Sequence, residues 1–126
     1  MKKRVAIVED NPDNRLLLCA MLEENFEIVE FQNGLDALEG LEAAAADLIL
    51  LDISLPGMDG VEVLSKIRRD ESLRELPVIA ITAHAMAGDR ERFLGHGFDD
   101  YLSKPILDDE ALIELIDSWL ARRARP

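Results

Sequence analysis

Residues 47 to 60 read DLILLDISLPGMDG, and this stretch decides the fold. Leu48, Ile49, Leu50 and Leu51 form an unbroken apolar run, too short for a helix and apolar on both alternating faces, which marks a strand covered on both sides. The run is closed by Asp52, and Leu55 to Gly60, with one proline and two glycines, reads as a loop. A buried strand that stops at a carboxylate and is followed by a tight loop belongs in a parallel sheet whose strand ends carry chemistry.

The same pattern recurs on either side. RVAIVED is closed by Glu9 and Asp10, and PVIAIT by Thr82. Helix-like segments separate the runs, so the chain alternates strand and helix through five rounds. Such alternation implies crossover connections and a parallel sheet with helices on both faces, an α/β fold. The expected strands are Arg4 to Glu9, Glu27 to Phe31, Asp47 to Leu51, Pro77 to Ile81 and Asp99 to Leu102, the second and fifth at the edges. Asn11 is placed to cap helix one and Pro12 to begin it. Asn14, Leu17, Leu18, Met21 and Leu22 are expected on its core face, leaving Leu16, Cys19 and Ala20 as an unusually apolar outward face. Helix two is expected over Gly34 to Ala44, helix three over Asp59 to Arg69, helix four over Gly88 to Gly95, and helix five from the acids at 108 to 110 onward.

The chain has 126 residues, 48% hydrophobic and 32% charged, which suits one domain with a real core. A net charge of −12 repels nucleic acid and acidic membranes, so neither is an expected partner. The basic ends, Lys2 to Arg4 and Arg122 to Arg125, read as solvated termini. No apolar run is long enough for a membrane span, and Glu9 and Asp10 interrupt the only signal-like start, so a cytoplasmic location is expected. Cys19, the one cysteine, has no internal partner for a disulfide.

In an open parallel sheet, Glu9, Asp10, Asp52, Thr82 and Lys104 come to one edge. Two carboxylates about 4 Å apart repel by roughly 4 kcal/mol at an effective dielectric near 20, so the cluster should raise a pKa or recruit a cation. Magnesium suits carboxylates, a carbonyl and waters, and leaves room for phosphate oxygens. Asp52 can then act as nucleophile toward a phosphoryl donor, with the metal, Lys104 and Thr82 sharing the phosphoryl charge.

These residues carry a resemblance to a family. Glu9-Asp10, Asp52 in LLDISLPGMDG, Thr82-Ala83 in AITA and Lys104-Pro105 in YLSKPI resemble the receiver domain of bacterial two-component response regulators, from Val5 to about Leu120. The resemblance implies a flavodoxin-like five-stranded sheet in the order 2-1-3-4-5, one receiver domain over residues 1–126 and no output domain. It implies Asp52 as phosphoacceptor, Asp10 as a direct magnesium ligand, Glu9 as a ligand through water and the Ser54 carbonyl as a further ligand. Thr82 and Lys104 would contact the phosphoryl group, the Lys104–Pro105 bond would be cis, and Tyr101 would be the aromatic switch that follows Thr82. Ser54 and His84 stand where the family tunes acyl phosphate lifetime, and Glu9 departs from the commoner Asp.

The implied donor is a histidine kinase or histidine phosphotransfer protein, docking on Arg15, Leu16 and Cys19 of helix one. The implied output is a protein partner on the face of helix four, strand five and helix five, including Arg90, Tyr101 and Ile106. Four other readings compete. A haloacid dehalogenase phosphatase needs a second aspartate where Ser54 stands, and a nucleotide enzyme needs a glycine-rich phosphate loop that the sequence lacks. A phosphorylation-independent pseudo-receiver is disfavoured because every active position is filled. A receiver excised from a hybrid histidine kinase would look much the same as a stand-alone regulator.

Overall fold

The computed structural model describes residues 2–83, 86–104, 106 and 108–123. Its elements are β1 (Arg4–Val8), α1 (Pro12–Leu22), β2 (Glu27–Phe31), α2 (Gly34–Ala44), β3 (Leu48–Asp52), α3 (Gly60–Arg69), β4 (Val78–Thr82), α4 (Asp89–His96), β5 (Asp100–Ser103) and α5 (Asp109–Arg123). The five strands are all parallel and lie in the order β2-β1-β3-β4-β5. β1, β3 and β4 occupy the centre, and their apolar runs are buried on both faces.

Alternation along the central strands feeds two cores. Ala6, Val8, Ile49, Leu51, Val78 and Ala80 pack against Ala37 and Leu41 of α2, Val63, Leu64 and Ile67 of α3, and Phe93 of α4. Val5, Ile7, Leu48, Leu50, Ile79 and Ile81 pack against Leu18 and Leu22 of α1 and Leu112, Ile116 and Leu120 of α5. α2, α3 and α4 therefore cover one face, and α1 and α5 the other.

β3, β4 and β5 each start one residue later than the apolar pattern indicates. The residues before them are tied differently: Pro77 has no N–H for a ladder, and the Asp99 carboxylate accepts from the Val78 N–H at 2.8 Å. The shift makes Asp52 and Thr82 the last residues of their strands.

α1 begins as expected, with the Asn11 side chain accepting from the N–H groups of Asp13 and Asn14 at 2.8 and 3.2 Å. Its core face is narrower than expected. Leu18 and Leu22, one turn apart, carry the burial, while Leu17 is 52% exposed. Cys19 is half-buried and packs against the α1/α5 core, so it does not belong to the outward face with Leu16. Cys19 faces the β2 side, with the Glu30 carboxylate close to its thiol, while Met21 borders Ile113 of α5.

α3 is capped by Asp59, whose carboxylate accepts from the Glu62 N–H at 2.9 Å. Gly60 is its first residue and not part of the preceding loop. A Cβ there would lie 2.6 Å from the Ile53 Cα and 2.7 Å from the Asp52 carbonyl oxygen. Glycine is what lets the start of α3 press against the end of β3, directly behind Asp52.

Arg68 staples the opposite end of the sheet. Its guanidinium donates to the carbonyls of Arg74, Leu76 and Gly97 at 2.9, 2.7 and 2.9 Å and to Asp99 Oδ2 at 2.7 Å. His96, expected in a loop, closes α4 with its ring centroid 6.4 Å from that of Phe93. No helix among the described residues is long and apolar enough to cross a membrane.

Candidate phosphoacceptor site

The C-terminal ends of β1, β3 and β4 and the residue after β5 converge on one cleft. Glu9 follows β1 and is only 2% exposed, and its N–H donates to the Phe31 carbonyl at 3.0 Å. Asp10 is exposed beside it. Arg15 donates from Nη1 to the carbonyls of Glu9 and Asp10 at 2.8 and 3.2 Å, so the first turn of α1 clamps the backbone of the acidic pair. Nothing in the spacing alone announced this role for Arg15, because the bond is to backbone oxygens.

Asp52 is 4% exposed, and both its oxygens are engaged. Oδ1 accepts from the Ser54 N–H at 2.9 Å, and Oδ2 accepts from Lys104 Nζ at 3.0 Å. Lys104 also donates to Glu9 Oε1, and its own N–H donates to the Thr82 carbonyl at 2.7 Å. Through that last bond the end of β5 is held to the end of β4, which places the ammonium over the cleft. Thr82 is buried at 4% exposure. Pro105, and with it the expected cis Lys104–Pro105 bond, lies outside the described residues, as does His84.

Glu9, Asp10 and Asp52 each offer a carboxylate oxygen within 4.8 Å of the others. Burial and the facing Asp52 together push the Glu9 carboxyl up to a pKa of about 7, against the lowering effect of Lys104 and of the Asn11 N–H. Burial pulls the Lys104 ammonium down, but hydrogen bonds to Glu9 and Asp52 and their charges outweigh it, and its pKa lies above that of an ordinary lysine. The donor set is all oxygen and hard, with three carboxylates facing one ammonium, and it fits a divalent cation such as magnesium. Ser54 sits at the exposed rim beside Asp52.

Tyr101 lies on β5 with its ring stacked on Phe93 of α4, centroids 5.8 Å apart and planes 13° from parallel. Its hydroxyl is buried with no hydrogen-bond partner among the described residues. Burial raises its pKa, and the nearby Asp89 carboxylate adds to the effect. Asp89, which the sequence pattern did not single out, is itself buried and accepts from the Met86 N–H at 2.9 Å. Its only sequence signal is an acid directly after Gly88 at a helix start.

The residues of the expected docking patch differ in availability. Leu16 is 70% exposed, whereas Arg15 is turned to the acidic-pair backbone and lies 3.5 Å from Glu30. A cavity of about 350 Å³ opens on the Leu17 side of α1, lined by Asn14, Leu17, Leu18, Ala83, Lys104 and Ile106.

An open parallel sheet in this order, with a buried aspartate between an acidic pair and a lysine at its carboxyl edge, is the architecture of a receiver domain. The family profile described as "Response regulator receiver domain" matches residues 5–117, and the chain belongs to that family. The polar-differentiation response regulator DivK of Brucella anthropi is 45% identical over 121 residues, covering 95% of this chain and 98% of DivK. The sensor protein GacS of Pseudomonas syringae is 41% identical over 120 residues, which cover 92% of this chain but only 13% of GacS. Among solved structures, the receiver domain of sensor histidine kinase PA1611 from Pseudomonas aeruginosa superposes with a TM-score of 0.86 at 35% identity, over 96% of this chain and 99% of that one. That crystal structure has a magnesium ion coordinated in its active-site cleft.

Proposed function

We propose that this receiver domain is a phosphorylation-dependent switch whose phosphoacceptor is Asp52. The observation that carries the reading is the placement of buried Asp52 against Lys104 within the three-carboxylate group. Attack by a carboxylate oxygen of Asp52 on the phosphorus of a phosphohistidine forms the acyl phosphate, while the P–N bond breaks and its electron pair stays with the imidazole. Lys104 offsets charge on the transferred oxygens, and the Thr82 hydroxyl, at the adjacent strand end, contacts one of them. Asp10 and Asp52 would hold magnesium directly, Glu9 through water, and the Ser54 carbonyl would complete the protein's share. When bound, the ion offsets the negative charge of the carboxylates and of the phosphoryl group.

The donor is a histidine kinase or histidine phosphotransfer protein. Leu16 and Leu17 supply the exposed apolar contact for its helix, with Arg15 and Cys19 supporting them from the inner side. Phosphorylation draws Thr82 toward the phosphoryl group and lets Tyr101 follow, changing the face of α4, β5 and α5 that a protein target reads. The receiver matches DivK as nearly a whole protein and GacS as one segment, and phosphoryl transfer to Asp52 is the same step in either setting.

The test is acetyl phosphate with magnesium, read by mass spectrometry of the intact protein. One phosphoryl addition is expected, absent in Asp52→Asn and in excess chelator. Labelling that persists in Asp52→Asn overturns the assignment.

A further inference from the structure

β5 is the edge strand of the sheet, and α4 and α5 lie on opposite faces. Any direct link between these two helices must pass around that edge. Asp100, the first residue of β5, makes such a link. Its Oδ1 accepts from Arg90 Nη1 of α4 at 3.1 Å and from the Tyr101 N–H at 2.8 Å. Its Oδ2 accepts from Trp119 Nε1 of α5 at 3.0 Å. The Asp100 side chain is 13% exposed.

An indole N–H is donor only and normally finds a partner when buried, and here that partner is the carboxylate that also holds α4. The far side of the indole is covered by the Arg122 guanidinium, 4.3 Å from the ring centroid. The neighbouring residue, Tyr101, is stacked on Phe93 of the same α4. Thus α4 is fastened to β5 at two successive residues, and one of them passes the connection on to α5.

α4 is also weakly anchored at its start. Gly88, in the left-handed region, offers no side-chain cap, and Asp89 secures the preceding loop through the Met86 N–H. The bond from Arg90 to Asp100 reaches out from a half-exposed guanidinium, so a small displacement of α4 alters it. Removing one donor from a shared carboxylate redistributes the remaining bonds, because members of one network do not respond independently.

We propose that Asp100 is a positioning residue that couples α4 to α5 around the sheet edge, so that movement of α4 in the switch is transmitted to Trp119 and Arg122 near the end of α5. The proposal rests on the switch reading of the cleft. It adds a polar route from α4 to the end of α5 that passes through the Asp100 carboxylate and not through the Tyr101 ring.

Trp119 is the only tryptophan, so the tryptophan emission comes from the α5 end of this route. The full chain with magnesium is titrated with beryllofluoride, a phosphoryl mimic, while fluorine NMR measures occupancy of the cleft. Wild type should show a change in Trp119 emission at saturation. In Arg90→Met, which removes the donor at an exposed position, and in Asp100→Asn, which removes the charge and one acceptor, that change should fall about threefold or more, the weight of one ion pair in a coupled set. Occupancy should stay at the wild-type level, and Arg90→Lys should restore the response. A full emission response in Arg90→Met, or none in saturated wild type, overturns the coupling. Absence of bound beryllofluoride in wild type overturns the switch reading and the proposal with it, and the missing fluorine signal distinguishes that failure.

Discussion

Lys104 Nζ lies 3.0 Å from Asp52 Oδ2 while the same ammonium also holds Glu9, so one cation spans the carboxylate that ends β3 and the one that follows β1. The lysine organises the cleft before any phosphoryl group arrives. Replacing it by Met keeps the length of the stem and removes the charge. Phosphorylation of Lys104→Met by acetyl phosphate should slow on the order of a hundredfold, as for loss of one preorganised charge at a reacting centre. Without the ammonium the Glu9 carboxyl is pushed further up and takes a proton beside Asp52, and urea unfolding at neutral pH should show a loss of about 2 kcal/mol. Wild-type phosphorylation kinetics in the variant would show that the lysine is only a solvated end.

Gly60 makes the second prediction. Its position against Ile53 and the Asp52 carbonyl leaves no room for a Cβ, and the nearest atoms are backbone. Gly60→Ala should cost about 1 to 3 kcal/mol by overpacking. The displaced end of β3 should also slow phosphorylation at Asp52, which a stability measurement alone would not reveal. Unchanged unfolding and unchanged phosphorylation together would mean that α3 can retreat without strain.

Cys19 offers a pH test. Burial, reinforced by the Glu30 carboxylate, pushes its thiol up to about 11, so the neutral form persists well above neutrality. A raised thiol pKa lowers the thiolate fraction at any pH below it, and the thiolate is the reacting form. Alkylation by iodoacetamide should be slow at pH 7.5 in the folded protein and rise steadily toward pH 10, whereas the urea-unfolded chain should react as an ordinary cysteine. Equal rates for folded and unfolded protein at pH 7.5 would contradict the placement of Cys19 against the core.

Arg68 is placed far from the cleft and its loss should be purely structural. Its guanidinium satisfies three carbonyls and the Asp99 carboxylate, joining α3, the segment before β4 and the turn before β5. Arg68→Ala should destabilise the domain by about 3 kcal/mol, because acceptors from three segments lose a charged donor at once. The rate of phosphorylation under native conditions should stay within about twofold of wild type, as expected for a change that only alters stability. A slowed rate at full occupancy of the fold would place Arg68 in the switch.

Much of the site was legible along the chain because strand ends are written locally. Apolar runs closed by Glu9-Asp10, Asp52 and Thr82 placed those residues at one edge before any coordinates, since a parallel sheet has a single carboxyl edge. The cap at Asn11 and the start of α1 at Pro12 were equally local, resting on one side chain and two neighbouring N–H groups.

What the pattern could not supply were relations between segments distant in sequence. The rotation of α1 that turns Leu17 outward and Cys19 inward depends on the sheet and helix it packs against, including Glu30 of β2 beside Cys19, and helical periodicity is indifferent to which of two adjacent residues meets a neighbour. The joint hold of Lys104 on Glu9 and Asp52, the clamp of Arg15 on backbone carbonyls, the Arg68 staple and the Asp100 bridge are polar contacts made by side chains that read as surface charges in one dimension. Residue type and order determined the sheet and its reactive edge, because burial and capping act over a few residues. Which charges meet, and through them how the two helical layers are joined around β5, was decided by tertiary packing, because a hydrogen bond needs two groups within about 3 Å and only the folded chain brings them there.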